Sequence, residues 1–76
     1  MADFDQEIDL SGLNCPMPVM KTKKALRSMD SGQVLHVIAT DPGTMDDIPE
    51  LVPEIDCTLV EHKKEGGKYE FLIKKN

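Results

Sequence analysis

Cysteine is scarce in this chain. Cys15 and Cys57 are the only two in 76 residues, too few for a disulfide framework. Neither they nor His36 and His62 show the close paired spacing that zinc sites use. The acids have no calcium-loop spacing. There is no glycine-rich phosphate loop, no internal repeat and no low-complexity segment. No resident metal or cofactor is expected. No apolar run approaches the roughly 20 residues of a transmembrane helix, so no membrane partner is expected. The opening Met1-Ala2-Asp3-Phe4-Asp5 is acidic, unlike the basic start of a signal peptide. Together with the cysteine count, this points to a reducing, cytoplasmic setting. Length excludes more. A chain of 76 residues makes one small domain, 1–76, with residues 1–5 expected to fray. Such a domain has no room for a deep substrate pocket, a cofactor domain and a lid. That favours a carrier, adaptor or binding module over a self-sufficient enzyme.

Bases are missing from long stretches. Residues 1–14 and 31–56 contain no lysine or arginine but ten acids between them. The net charge is −5, which argues against direct nucleic-acid binding, since that needs a basic footprint. The exception is the segment after Cys15, where Lys21, Lys23, Lys24 and Arg27 cluster.

What is present centres on Gly12-Leu13-Asn14-Cys15-Pro16-Met17-Pro18. Before it, Glu7-Ile8-Asp9-Leu10 alternates as a half-buried strand does. After it, Val19 to Met29 has helical spacing, with Pro18, Val19, Thr22, Ala25, Leu26 and Met29 on one face. Proline lacks an amide proton and has a helix-compatible φ, so Pro16 and Pro18 both fit a first helical turn. The residue before a proline is pushed out of the helical region, which sets Cys15 at or just before the cap. There it should feel the helix dipole and the free amides of Met17, Val19 and Met20, which favour a thiolate and lower the thiol pKa. Gly12 supplies unusual backbone angles or a close approach in the preceding turn. The basic residues lie off the core face with Met20 among them. They read either as a solvated face or as a docking patch beside the sulfur.

The remaining elements follow in order. Gln33 to Thr40 is a strand containing His36, read as a partly buried sheet histidine. Asp41-Pro42-Gly43 is a turn. Thr44 with Asp47 resembles a capping box. Met45, Ile48, Leu51, Val52 and Ile55 form a helical stripe, which Pro49 and Pro53 should restrict to a short helix, regular from about Asp47 and kinked or shortened near Pro53. The acids of this helix read as a solvated face. Cys57–Glu65 and Lys68–Lys75 are strands joined by a Gly66-Gly67 hairpin turn. In that register Lys64 opposes Tyr69, His62 opposes Phe71 and Val60 opposes Ile73. Cys57 reads as structural. The element order is β-α-β-α-β-β, which makes an α/β chain of the α+β two-layer type with both helices on one face of a mixed sheet.

Asp9-Leu10-Ser11-Gly12-Leu13-Asn14-Cys15-Pro16-Met17-Pro18 resembles the Cys-Pro-x-Pro signature of the TusA (SirA-like) sulfur-carrier family. Thr40-Asp41-Pro42-Gly43 with Asp47-Ile48-Pro49 resembles its second recurring segment. The likeness spans nearly the whole chain. It implies a four-stranded mixed sheet with two helices on one side, similar to the C-terminal domain of translation initiation factor three. It also implies a persulfide on Cys15, with Gly12, Pro16 and Pro18 positioning it. The sulfur would come from a cysteine desulfurase or a rhodanese-like donor. It would pass to a downstream acceptor protein in tRNA thiolation, molybdenum-cofactor synthesis or oxidative sulfur metabolism, with no turnover expected without those partners. Met20, Lys21, Lys23, Lys24 and Arg27 are the expected partner-docking residues. Pro53, and the lack of a glycine before the third strand, depart from the family pattern. Two other functions fit the same residues. One is a thiol redox regulator, which would need Cys57. The other is a non-catalytic regulatory module in which Cys15 merely packs.

Overall fold

The computed structural model describes residues 3–76. Its elements are β1 (Gln6–Leu10), α1 (Met17–Arg27), β2 (Val34–Ala39), α2 (Thr44–Glu54), β3 (Cys57–Glu65) and β4 (Lys68–Lys75). The strands form one sheet in the order β1-β2-β4-β3. β1 and β2 are parallel, and β4 is antiparallel to both β2 and β3. This is the mixed sheet expected from the element order, because two strands joined through a helix can run parallel.

Period-2 alternation decides which face is buried. Leu35, Val37 and Ala39 of β2 and Phe71 and Ile73 of β4 point to one side and are fully buried. Leu26 near the end of α1, Met29 just beyond it, and Ile48 and Val52 of α2 pack into the same cluster. Each such side chain contributes about 1.5–3 kcal/mol by leaving water, so this layer holds both helices on one side of the sheet. On α1 the expected core face is observed, with Pro18, Thr22 and Leu26 buried and Val19 and Ala25 half-buried. Thr22 Oγ1 is buried there with no hydrogen-bond partner among the described residues.

On the opposite face, both ring nitrogens of the buried His36 reach carboxylates. Nδ1 lies 2.9 Å from Glu7 of β1 and Nε2 lies 3.0 Å from Glu70 of β4. Phe4 packs on the same imidazole, with ring centroids 4.8 Å apart. Asp5 donates its amide to Val34 O at 2.9 Å, and its carboxylate accepts the Val34 amide at 2.7 Å. Of the five residues read as frayed, Met1 and Ala2 lie outside the described residues, while Phe4 and Asp5 make these contacts.

Three local expectations are corrected. First, α2 is already helical from Thr44, ahead of the expected Asp47, and it passes Pro49 to end at Glu54, one residue beyond Pro53, close to where that proline is expected to shorten it. Pro49 and Pro53 each remove an amide donor, but Ile48 and Val52 bury in the core cluster and hold the helix past Pro49. Second, Thr44 does not cap α2. Gly43 is the cap residue, and the buried Thr44 hydroxyl donates to Asp41 O at 2.7 Å. Third, Val60 does not oppose Ile73. A β-bulge between Leu59 and Glu61 places Leu59 opposite Ile73 and leaves Val60 50% exposed. The hairpin end keeps the expected register, His62 against Phe71 and Lys64 against Tyr69. The extra residue reverses the parity of what precedes it, which turns Cys57 into the core at 6% exposure.

Candidate functional site

The loops after β1 and β2 leave the same end of two adjacent parallel strands, and hydrogen bonds tie them together. The Gly12 amide donates to Thr40 Oγ1 at 2.8 Å. The Cys15 amide donates to Asp41 Oδ2 at 2.9 Å. The other oxygen of that carboxylate accepts the Gly43 amide at 3.3 Å, so Asp41 shapes its own turn while it holds Cys15. Gly12 has φ +82°, and nothing lies within 4 Å of where its Cβ would be. Its glycine is therefore required by backbone angle, not by close approach.

Cys15 is exposed. It stands one residue before Pro16, the cap of α1, and the Cys15–Pro16 peptide is cis. Pro18 falls in the first turn and is buried, so the two prolines have different roles. Pro18 anchors the helix start on the core, while Pro16 stays at the surface beside the thiol. The first-turn amides are less free than their sequence positions imply. Met17 N–H donates to Asn14 O at 3.0 Å and Met20 N–H to Pro16 O at 3.1 Å.

A shallow groove of about 310 Å³ opens beside Cys15, between the start of α1 and the outer side of α2. Pro16, Val19 and Leu51 give it apolar walls, and Asp47, Glu50 and Glu54 give it carboxylates. Met17 and Met20 are exposed at the start of the same helix, at 39% and 56%.

The basic residues expected to flank the sulfur divide. Lys21 and Lys24 are exposed on α1. Lys23 and Arg27 line a second cavity of about 340 Å³ with Leu26, Ile55, Cys57 and Lys75. Arg27 stands about 15 Å along the helix from its start, at 1.5 Å per residue. Lys75 spans the end of α1, its ammonium donating to Arg27 O at 3.2 Å and Met29 O at 2.7 Å. Burial raises the Cys57 thiol pKa, partly offset by Lys75, and its sulfur lies 3.5 Å from Ile55 O. The two cysteines therefore differ in kind, one presented and one enclosed.

Asp41 and the groove acids were not read from sequence as site residues. Asp41 had a visible signal, an acid immediately before Pro-Gly, but that signal marks a turn equally well. Asp47, Glu50 and Glu54 follow helical spacing that also fits a solvated face. The face is solvated, with Glu50 and Glu54 exposed, and the placement of α2 sets it beside Cys15.

The family model for sulfurtransferase TusA matches residues 6–75. The chain belongs to the TusA family. Over 76 residues, the whole of both chains, it is 59% identical to the sulfur carrier protein TusA of Allochromatium vinosum. Over 72 residues it is 43% identical to the sulfur carrier protein TusA of Pseudomonas fluorescens, covering 95% of this chain and 87% of that one. The crystal structure of a SirA-like protein from Desulfitobacterium hafniense has the same fold, with a TM-score of 0.79 at 26% identity, covering 92% of this chain and 96% of that one. No helix among the described residues of this TusA-family chain is long and apolar enough to cross a membrane.

Proposed function

We propose that this chain is a sulfur carrier that holds a persulfide on Cys15. The observation that supports it most directly is the contrast between its thiols. Cys15 is exposed on a loop whose backbone is tied down by Asp41, while Cys57 is buried. The Cys15 thiolate attacks the terminal sulfur of a donor persulfide. A new S–S bond forms on Cys15, the donor's S–S bond breaks, and the donor leaves as a thiolate. An acceptor thiolate then attacks the terminal sulfur on Cys15, which in turn leaves as a thiolate. Nothing is oxidised or reduced overall, and the exchange needs an accessible, ionised sulfur and little else from the carrier.

A cysteine desulfurase or a rhodanese-like protein is the donor this chemistry suits. A relay protein with a free cysteine suits as acceptor, in tRNA thiolation, molybdenum-cofactor synthesis or oxidative sulfur metabolism. Gly12, Pro16 and Pro18 set the loop, and Met20, Lys21, Lys23, Lys24 and Arg27 offer contacts to partners. The reducing cytoplasm is the compartment that keeps such a thiol available. A redox switch pairing the two cysteines is disfavoured, because Cys57 is enclosed and its thiol resists ionisation.

Intact mass spectrometry after incubation with a cysteine desulfurase and free cysteine tests the reading. One added sulfur atom is expected on the wild-type chain and on Cys57→Ser, and none on Cys15→Ser. Loading that follows Cys57 would overturn it.

A further inference from the structure

The groove beside Cys15 has a composition at odds with the basic helix that follows the sulfur. Its walls are Pro16, Val19 and Leu51, and its charged lining is Asp47, Glu50 and Glu54, with no cation among them. These three acids recur at helical spacing along α2, so one side of that helix turns carboxylates toward the thiol. None of them makes a salt bridge among the described residues. Residues 31–56 contain no lysine or arginine that could pair with them along α2 itself. The lysine and arginine side chains that form a cavity, Lys23, Arg27 and Lys75, do so elsewhere, around Cys57. A group that approaches Cys15 along this groove therefore meets apolar walls and negative charge.

We propose that the groove is a docking site for a partner segment that presents its reacting cysteine beside an apolar side chain and between lysine or arginine residues. This rests on the sulfur-carrier reading and adds a selectivity to it. Apolar contact with Val19 and Leu51 seats the segment, and its cations pair with Asp47, Glu50 and Glu54. The same charges repel small anionic thiols and anionic sulfur compounds. On an exposed persulfide with no lid, that repulsion slows loss of sulfur to the wrong acceptor. Electrostatic steering of this kind changes association rates by about 10–1000-fold, and like charges at an interface act against wrong partners.

Two short peptides, each with one cysteine activated as its thiopyridyl disulfide, test this with the free protein. One reads Lys-Leu-Cys-Lys and the other Glu-Leu-Cys-Glu. The Cys15 sulfur attacks the peptide sulfur, a mixed disulfide forms, and pyridine-2-thione leaves and is followed by its absorbance. Peptide mapping confirms the adduct on Cys15. The lysine peptide should react at least about tenfold faster at low salt. The gap should close at high salt, where the Debye length falls to about 3 Å at 1 M. It should also narrow in Asp47→Asn/Glu50→Gln/Glu54→Gln, and part-way in the single variant Glu50→Gln, which serves if the triple variant does not fold. Equal rates for the two peptides at low salt would overturn the proposal, as would a gap that survives in the folded variants. The assay uses no persulfide. A failure of Cys15 to load from a desulfurase would remove the carrier reading and leave this result standing, and the reverse also holds.

Discussion

Asp41 and Cys15, 26 residues apart in sequence, are joined by a 2.9 Å hydrogen bond from the cysteine amide to the carboxylate. The bond fixes the residue that carries the sulfur without touching the sulfur. Asp41 thus acts on position, through the backbone of both loops.

Asp41→Ala should remove the acceptor for both the Cys15 and Gly43 amides. The expected loss of stability is about 1–2 kcal/mol, since solvent reaches these bonds. Sulfur loading of Cys15 should slow in the still-folded protein, and Asp41→Asn, which keeps an acceptor oxygen, should recover part of the rate. Chemical denaturation and timed mass spectrometry would measure the two effects. Identical loading rates in wild type and Asp41→Ala would show that the tie is only structural.

The thiols should separate in an alkylation experiment. Burial raises the Cys57 pKa, and the folded chain encloses its sulfur, so a neutral alkylating reagent should label Cys15 first and Cys57 only at higher pH or on unfolding. The same shift has a sign for stability. A raised folded pKa means the native state holds its proton longer than the unfolded chain does. That contribution is complete below the unfolded thiol value of about 8.5 and is lost as pH rises through the folded value. Melting temperature should therefore fall across the alkaline range, less steeply in Cys57→Ala. Equal slopes for the two proteins would remove Cys57 as the cause.

Thr22→Val should stabilise the fold. The hydroxyl is buried with no partner among the described residues, a cost of about 1–3 kcal/mol, and valine fills nearly the same space. For a chain of this size, each kcal/mol raises the melting temperature by about 4–8 °C. Sulfur loading should not change. A lower melting temperature would mean that the hydroxyl has a partner in solution.

Reversing Lys23 and Arg27 to Glu tests the cations of α1. Sulfur transfer with a protein partner should slow at low salt and recover toward wild type at high salt. Arg27 lies in the last turn of α1, where positive charge complements the helix dipole, so a stability loss of about 1 kcal/mol should accompany the change. Unchanged transfer in the folded double variant would assign these residues to the solvated face.

Much of this molecule is legible in its sequence, for definite reasons. The strand before Gly12, the helix after Pro16 and the Gly66-Gly67 hairpin follow from periodicity and turn chemistry, which are local. The core face of α1 follows from its spacing. The misses depend on non-local packing. The start of α2 at Thr44 and its persistence through Pro49 rest on what Ile48 and Val52 bury against. The Val60 bulge leaves no signature in Cys-Thr-Leu-Val-Glu, a run that alternates acceptably in either register. At the site, Cys15 and its prolines stand out because the motif is contiguous. Asp41 and the acids of α2 reach Cys15 only through the adjacency of β1 and β2.

The bulge at Val60 also limits how this protein can meet others. β3 is an edge of the sheet, with unpaired amides and carbonyls that could template a strand from a neighbouring molecule. The extra residue breaks the regular spacing of that row, and Lys63 and Lys64 follow within the same strand. A foreign strand cannot zip along it in register without leaving groups unbonded at the bulge. Growth of the sheet is thereby discouraged on this side. A molecule approaching from this side meets side chains and an interrupted ladder, not a ready row of backbone partners.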